Sequence, residues 1–209
     1  MSRKFFLIIT LLTVFFLSVK AQSEKKAEVS TLPDIDVYDI NGVHTTLHQL
    51  AKNKVLFIDC WFIPCPPCFL AMGPLHKIYA QYVNNKNLCF ITICMTDSAQ
   101  VKKFINQDTS MKTAVSQYQF FSNLNAFKLP VYFMPGCSSK VLGSKIIGHS
   151  TPDDRSNCPD VVFNFSGYPT CMIFNKQGKQ VFKETAIQSA EQYEQHVTKA
   201  LSDALADSN

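Results

Sequence analysis

The stretch "DCWFIPCPPCFLAMGP", residues 59–74, holds two cysteines, Cys65 and Cys68, bracketing a pair of prolines, with Asp59 six positions upstream. Three chemistries use such a pair: a metal clamp, a structural disulfide, or a dithiol that passes electrons to other proteins. The flanking residues discriminate between them. Upstream, "KVLFIDCWF" is apolar on both alternating faces, with Leu56, Ile58 and Cys60 on one and Val55, Phe57 and Trp61 on the other. A strand of that kind belongs in the buried centre of a sheet, and Asp59 is the anomaly in it. Downstream, Leu75, Ile78, Tyr79 and Tyr82 recur at helical spacing, which predicts a helix beginning at about Pro66.

A strand that delivers Cys-x-x-Cys to the start of a helix has a mechanistic consequence. The helix N-terminus favours negative charge, so the first sulfur, Cys65, is stabilised as thiolate. Thiolate is the attacking species in disulfide exchange, which runs through a mixed disulfide with the substrate. Cys68, one turn deeper, can displace that intermediate. Pro66 and Pro67 fit the first helical turn, whose N–H groups have no intrahelical partner. They also remove two donors that would otherwise steady the thiolate, and Phe69, Leu70 and Ala71 add no polar help. Cys65 is therefore expected to be moderately acidified, which predicts a reductant of disulfides rather than a strong oxidant.

The chain begins with Arg3 and Lys4, an almost wholly apolar run from Phe5 to Val19, and Val19-Lys20-Ala21 before Gln22. This is the pattern of a signal peptide over residues 1–21. An uncleaved membrane anchor is the alternative, although a spanning helix needs about 20 apolar residues. Residues 22–31 read as a polar tether and 32–209 as one domain, with neither repeats nor a low-complexity linker to divide it. Without the leader, 17 basic residues face 16 acidic ones, which gives no reason to expect nucleic acid as a partner. The expected location is extracytoplasmic, in a periplasm, where disulfides persist.

The chain has eight cysteines. Cys89 and Cys94 fall on opposite faces of a second buried strand in "NLCFITICMT", so they cannot share a metal and read as small core residues. Cys137 and Cys158 lie in a poorly patterned segment at about 108–160 that contains Pro130, Pro135, Gly136, Gly143, Gly148, Pro152 and Pro159. A bridge between them and a pair of free buried thiols both remain open, because spacing does not fix connectivity. Within that segment only a strand near "LPVYFM" is predicted.

The remaining elements read more plainly. Asn41-Gly42 in "IDVYDINGVHTTLHQL" is a hairpin signal, and "SAQVKKFINQ" is a helix with Ser98 as its cap. "TCMIFNKQGKQVFKE" is a hairpin around Lys176-Gln177-Gly178. "SAEQYEQHVTKALSDAL" is an amphipathic helix presenting Tyr193, Val197, Ala200, Leu201 and Ala204. The order βαβα followed by ββα predicts an α/β fold, a mixed sheet with helices on both sides.

Asp59, Trp61, Cys65, Cys68 and the later "GYPT" with Pro169 together resemble the thioredoxin superfamily, and more narrowly the exported TlpA/ResA-like thiol-disulfide oxidoreductases. The Asn-Gly hairpin ahead of the core and the "NKQG" hairpin after Pro169 match as well. The resemblance covers roughly residues 32–105 and 160–205. It implies a thioredoxin-like fold with an N-terminal β-hairpin extension and an irregular insertion before a cis proline at Pro169. It implies Cys65 and Cys68 as the redox pair, and Asp59 as a proton relay for Cys68. Trp61, Pro66, Pro67, Tyr168, Pro169 and Thr170 would lie around the substrate, with the Tyr168 backbone free to pair with an extended segment. It further implies a monomer without cofactor or metal, acting on thiol- or disulfide-bearing exported proteins and recharged by a membrane electron donor. The chain departs from the family where a polar residue commonly follows the second cysteine: Phe69 and Ala71 stand there, and Pro74 falls one residue later than in thioredoxin.

Other readings of the same residues are weaker. Asp59 could be a satisfied polar group, Trp61 plain core, and Pro169 an ordinary turn proline. A thiol peroxidase of this fold carries Thr three residues before its reactive cysteine, where this chain has Phe62. A structural zinc site takes four ligands in most cases, and the five histidines, at 44, 48, 76, 149 and 196, form no cluster with the pair. A redox-inactive binding module or chaperone is the non-enzymatic alternative; the presence of both cysteines disfavours it. Asn164-Phe165-Ser166 matches a glycosylation acceptor and reads as chance.

Overall fold

The computed structural model describes residues 31–142, 145–147 and 152–207. The leader expected at 1–21 and nearly all of the tether lie outside them. Thr31 bridges Lys179, and the Leu32 N–H donates to the Gly178 carbonyl at 2.7 Å, so Thr31, read in the sequence as tether, pairs with the domain.

In chain order the elements are β1 Asp36–Asp39, β2 His44–Thr46, α1 Leu47–Ala51, β3 Val55–Trp61, α2 Pro66–Tyr82, β4 Leu88–Cys94, α3 Ser98–Ile105 and α4 Lys112–Ser122. There follow β5 Val131–Phe133, β6 Lys140–Leu142, β7 Lys145–Ile147, α5 Pro159–Val162, β8 Thr170–Phe174, β9 Gln180–Thr185 and α6 Ala190–Ala206. Seven strands form one mixed sheet in the order β2-β1-β5-β4-β3-β8-β9, while β6 and β7 pair with each other. Strands β3, β4 and β5 run parallel, and β8 and β1 are antiparallel to their neighbours β3 and β5. This is a thioredoxin-like α/β fold. Both expected hairpins form. Asp39 Oδ1 accepts the N–H groups of Asn41 and Val43, each at 2.8 Å, and Gly42 takes the positive φ of +84° that the turn needs.

Every residue of β3 is buried. Its odd-numbered side chains Val55, Phe57 and Trp61 join one core with α2, α3, α4 and α6; Leu56, Ile58 and Cys60 join the other. That second core is closed differently. Short α1 contributes Leu47, and the chain between β5 and β8 contributes Met134, Cys137, Cys158 and Phe163. The long helices therefore crowd onto one face, and the insertion covers the opposite one. Helices do sit on both sides as expected, but unequally.

Two expectations need correction. Asp97, not Ser98, caps α3: its carboxylate accepts from Ala99 and Gln100 N–H at 3.0 and 3.3 Å, where a charged oxygen complements the helix start. The 108–160 segment is also more regular than its pattern suggested. It contains α4, whose buried residues are Ala114, Tyr118 and Ser122. Only one of those is a large side chain, while Phe120 is 80% exposed, so the apolar periodicity points the wrong way. Cys89 and Cys94 do face opposite cores, although Cys89 is only half-buried.

Candidate active site

Strand β3 ends at Trp61, and four residues later Cys65 is the N-cap of α2. The intervening loop is tied to the end of β4. The Met95 N–H donates to the Trp61 carbonyl at 3.0 Å, and the Ile63 N–H to Thr96 Oγ1 at 2.7 Å. Pro66 and Pro67 occupy the first helical positions, so the backbone donor that meets the first sulfur is the Cys68 N–H, at 3.2 Å. The Cys65 and Cys68 sulfurs are joined, 2.00 Å apart. Cys65 retains 3% exposure and Cys68 none. Both are buried in the disulfide-bonded pair, so Cys65 does not stand open as the exposed nucleophile expected from the sequence.

The departure at Phe69 has a structural use. Its ring stacks on Phe104 at 5.7 Å and meets Tyr118 edge-on, so an apolar residue after the second cysteine locks α2 to α3 and α4. Trp61 is fully buried. It stacks on Phe127 at 5.1 Å, and its Nε1–H donates to Thr92 Oγ1 at 3.1 Å. The expected substrate contact of Trp61 is thereby corrected: with no solvent-facing surface, the ring supports the site from inside the core. Thr170 needs the same correction. It is fully buried, its hydroxyl donates to the Gly167 carbonyl at 2.7 Å and lies 2.9 Å from Thr185 Oγ1, and it pins the loop rather than facing a ligand.

The Tyr168–Pro169 peptide bond is cis, as the resemblance implied, and a second cis bond, Ile63–Pro64, immediately precedes Cys65. Tyr168 is half-buried, Pro66 is half-buried and Pro67 exposed, whereas Pro169 is buried. Phe62 meets Tyr168 edge-to-face at 5.3 Å, and Tyr168 meets Phe165 likewise at 5.1 Å. The Tyr168 hydroxyl reaches the Met95 sulfur and lies 3.4 Å from Asp160, which pairs with Arg155. This aromatic strip was not legible in the sequence. Phe62 is near the pair in sequence, but Phe165 comes from the chain that follows α5, a hundred residues away.

Asp59 is completely buried and lies on the helix-covered face with Cys68. Oδ1 accepts from the Tyr193 hydroxyl at 3.2 Å, and Oδ2 has no hydrogen-bond partner. Loss of hydration drives its carboxyl well above the ordinary carboxylate range, opposed in part by the Tyr193 hydrogen bond. Such a group can take up a proton at neutral pH. Tyr193 read in the sequence only as part of an apolar stripe; a tyrosine where phenylalanine would pack equally well was the available signal, since a buried hydroxyl needs a partner.

Cys137 and Cys158 are also joined, with sulfurs 2.15 Å apart. Cys60, Cys89, Cys94 and Cys171 are free thiols, and burial raises each of them, Cys94 to about 12. Among the described residues no group of three His, Cys, Asp or Glu side chains is placed to hold a metal ion.

The thioredoxin-like fold and the Cys65–Cys68 pair at the head of α2 define a disulfide oxidoreductase. No family model matches the chain. Over 136 residues it is 27% identical to the thiol-disulfide oxidoreductase ResA of Bacillus cereus, covering 64% of this chain and 77% of that protein. Over 179 residues it is 25% identical to ResA of Bacillus anthracis, covering 86% and 82% respectively. Among solved structures it is similar to a thioredoxin-family thiol:disulfide interchange protein from Chlorobium tepidum TLS, with a TM-score of 0.51 and 16% identity over 84% of this chain and 99% of that one. The thioredoxin domain of a thiol-disulfide oxidoreductase from Bacteroides vulgatus gives 0.50 and 20% over 83% and 96%. The chain is thus similar to the ResA thiol-disulfide oxidoreductases and shares the thioredoxin-like fold of these structures.

Proposed function

We propose that the protein is exported and reduces disulfides in extracytoplasmic proteins, with Cys65 as nucleophile, Cys68 as resolving thiol and Asp59 as proton acceptor. The observation that carries this reading is Cys65 at the N-cap of α2, its sulfur receiving the Cys68 N–H. In the reduced protein the Cys65 thiolate attacks one sulfur of the substrate disulfide, forming a mixed disulfide and releasing the other sulfur as thiolate. Cys68 then loses its proton to Asp59 and attacks the Cys65 sulfur. The Cys65–substrate bond breaks, the substrate sulfur leaves with the electron pair, and the Cys65–Cys68 bond forms. Two electrons have moved to the substrate. A membrane electron donor returns them to the pair.

The backbone donor at Cys65, with prolines at the next two positions, supports a moderately stabilised thiolate, hence a reductant. Substrate docks against Phe62 and Tyr168, beside the half-buried Pro66 and exposed Pro67, with the Tyr168 backbone available to an extended segment. Titration against glutathione is expected to place the potential well below about −120 mV, the value of a strong oxidant; a potential there would reverse the direction. Cys68→Ala should accumulate mixed disulfides and Cys65→Ala none. Accumulation on Cys65→Ala instead would overturn the assignment.

A further inference from the structure

Asp59 sits in a row of polar side chains that crosses three strands. It is directly opposite Cys171 on β8, and Cys171 is directly opposite Glu184 on β9. Directly opposed residues share a sheet face, with Cβ atoms about 4.5–5.5 Å apart. Helix α6 lies over this face and adds Tyr193 and His196, one turn apart. The Tyr193 hydroxyl donates to Asp59 Oδ1 at 3.2 Å, and the Cys171 thiol lies close enough to that hydroxyl for each to shift the other's titration. At the far end His196 Nδ1 lies 3.2 Å from Glu184 Oε1. Burial falls along the row: Asp59 and Cys171 are fully enclosed, the Glu184 side chain is 25% exposed and that of His196 58%. Asp59 Oδ2 and Glu184 Oε2 are both buried carboxylate oxygens without a partner, one near each end. A row of this kind has no packing rationale, since apolar residues would fill the same space at lower cost.

We propose that Asp59 exchanges its proton with solvent along this row, through Tyr193, Cys171 and Glu184, and that the row opens at the β9–α6 seam beside His196. The inference rests on the reading of Asp59 as the acceptor for Cys68. A proton taken from Cys68 leaves Asp59 for the Tyr193 oxygen as that hydroxyl gives its own hydrogen to the Cys171 sulfur. The thiol gives its hydrogen to Glu184, which releases it to water or His196. Tyr193 and Cys171 end as they began, and no electrons move. His196 lines an open cleft of about 410 Å³ with Phe182 and Lys199, so the outlet meets solvent. The ionisable groups on the face of Asp59 are Cys68 on α2, Cys171 on β8 and Tyr193 on α6, with Glu184 acting through Cys171; Cys60, the next residue of the strand, points into the opposite core.

The test uses the full chain, reduced and then mixed with a peptide disulfide, with closure of the Cys65–Cys68 bond followed by fluorescence of Trp61, the single tryptophan. Closure rates are measured against pH, in H₂O and D₂O, for the parent, Asp59→Asn, Tyr193→Phe and Glu184→Gln. Tyr193→Phe keeps the ring and removes the hydroxyl that holds the Asp59 carboxyl down. Its pH profile should move up by about one unit, and the rate at neutral pH should fall roughly tenfold. Glu184→Gln should slow closure several-fold and enlarge the solvent isotope effect, without moving the equilibrium potential, and imidazole buffer should restore the rate. If Asp59→Asn slows closure while Tyr193→Phe and Glu184→Gln keep the parental rate and profile, the row is refuted and the acceptor role stands. If Asp59→Asn is itself parental, both fall.

Discussion

Phe62 and Tyr168 meet at nearly a right angle, 86° between ring planes, joining the loop before Cys65 to the loop before β8. Both residues are half-buried, and Phe62 stands three positions before Cys65. Rigid aromatic anchors of this kind dominate binding energies where they are partly desolvated. Phe62→Ala and Tyr168→Ala should each weaken a protein substrate by roughly 1–2 kcal/mol, about 5–30-fold in KM for insulin reduction. The rate with a small aromatic disulfide should stay within about twofold. Equal losses on both substrates would mean that the rings shape the sulfur pair, not the substrate.

Asp59 makes stability depend on pH in a definite sense. Its carboxyl binds a proton more tightly in the folded chain than in the unfolded one, chiefly because burial removes its hydration. The linked stability is complete below the unfolded value, about 3.9, and drains away as pH rises towards the folded value. Asp59→Asn carries no such burden. The variant should match the parent near pH 4 and exceed it increasingly towards pH 8 in thermal unfolding. A gap that stays constant with pH would contradict the argument.

The Cys137–Cys158 link closes a loop with a sequence separation of 21 and fastens the segment that covers the second core. Replacing both cysteines by serine should cost ~3 kcal/mol, a fall in Tm of roughly 6–12 °C for a domain of this size. Closure of the Cys65–Cys68 pair should persist in that variant. Mass spectrometry of the unreduced protein showing free thiols at both positions would remove the basis of the prediction.

Gly73 of α2 packs directly against the backbone at the end of α4. A Cβ placed there would come within 2.9 Å of the Ser122 carbonyl oxygen, a backbone atom with little room to move. Alanine is ordinarily favoured over glycine inside a helix by about 1 kcal/mol. Here Gly73→Ala should instead destabilise by about 1–3 kcal/mol through overpacking. Chemical denaturation gives the sign directly, and a more stable variant would show that the helices can part.

The residues that could be read in the sequence are those whose role is local. The buried strand around Asp59, the helix beginning after Cys65 and the two turns at Gly42 and Gly178 each declare themselves within ten residues. Helix α4 did not, because Phe120 faces outward and its buried side is built from Ala114, Tyr118 and Ser122. Tyr193 and Phe165 were opaque for another reason. Each acquires its part in the site only when a distant segment is laid against β3 or the Tyr168 loop, and no local pattern records that meeting. Trp61 and Thr170 were placed correctly along the chain but assigned the wrong depth.

The unequal closure of the two sheet faces separates two inheritances. Asp59, Cys68 and Tyr193 all belong to the face packed by long helices, where a change of one methyl group is felt throughout. Phe165, together with Asp160, which positions Tyr168, comes from the segment fastened over the other face. On the proposed docking at Tyr168, exchanging that segment would alter which proteins are recognised while leaving Asp59, Cys68 and Tyr193 untouched. Divergence in this protein's relatives should accumulate in residues 134–159, ahead of the Tyr168–Pro169 loop, faster than in α2 or α6.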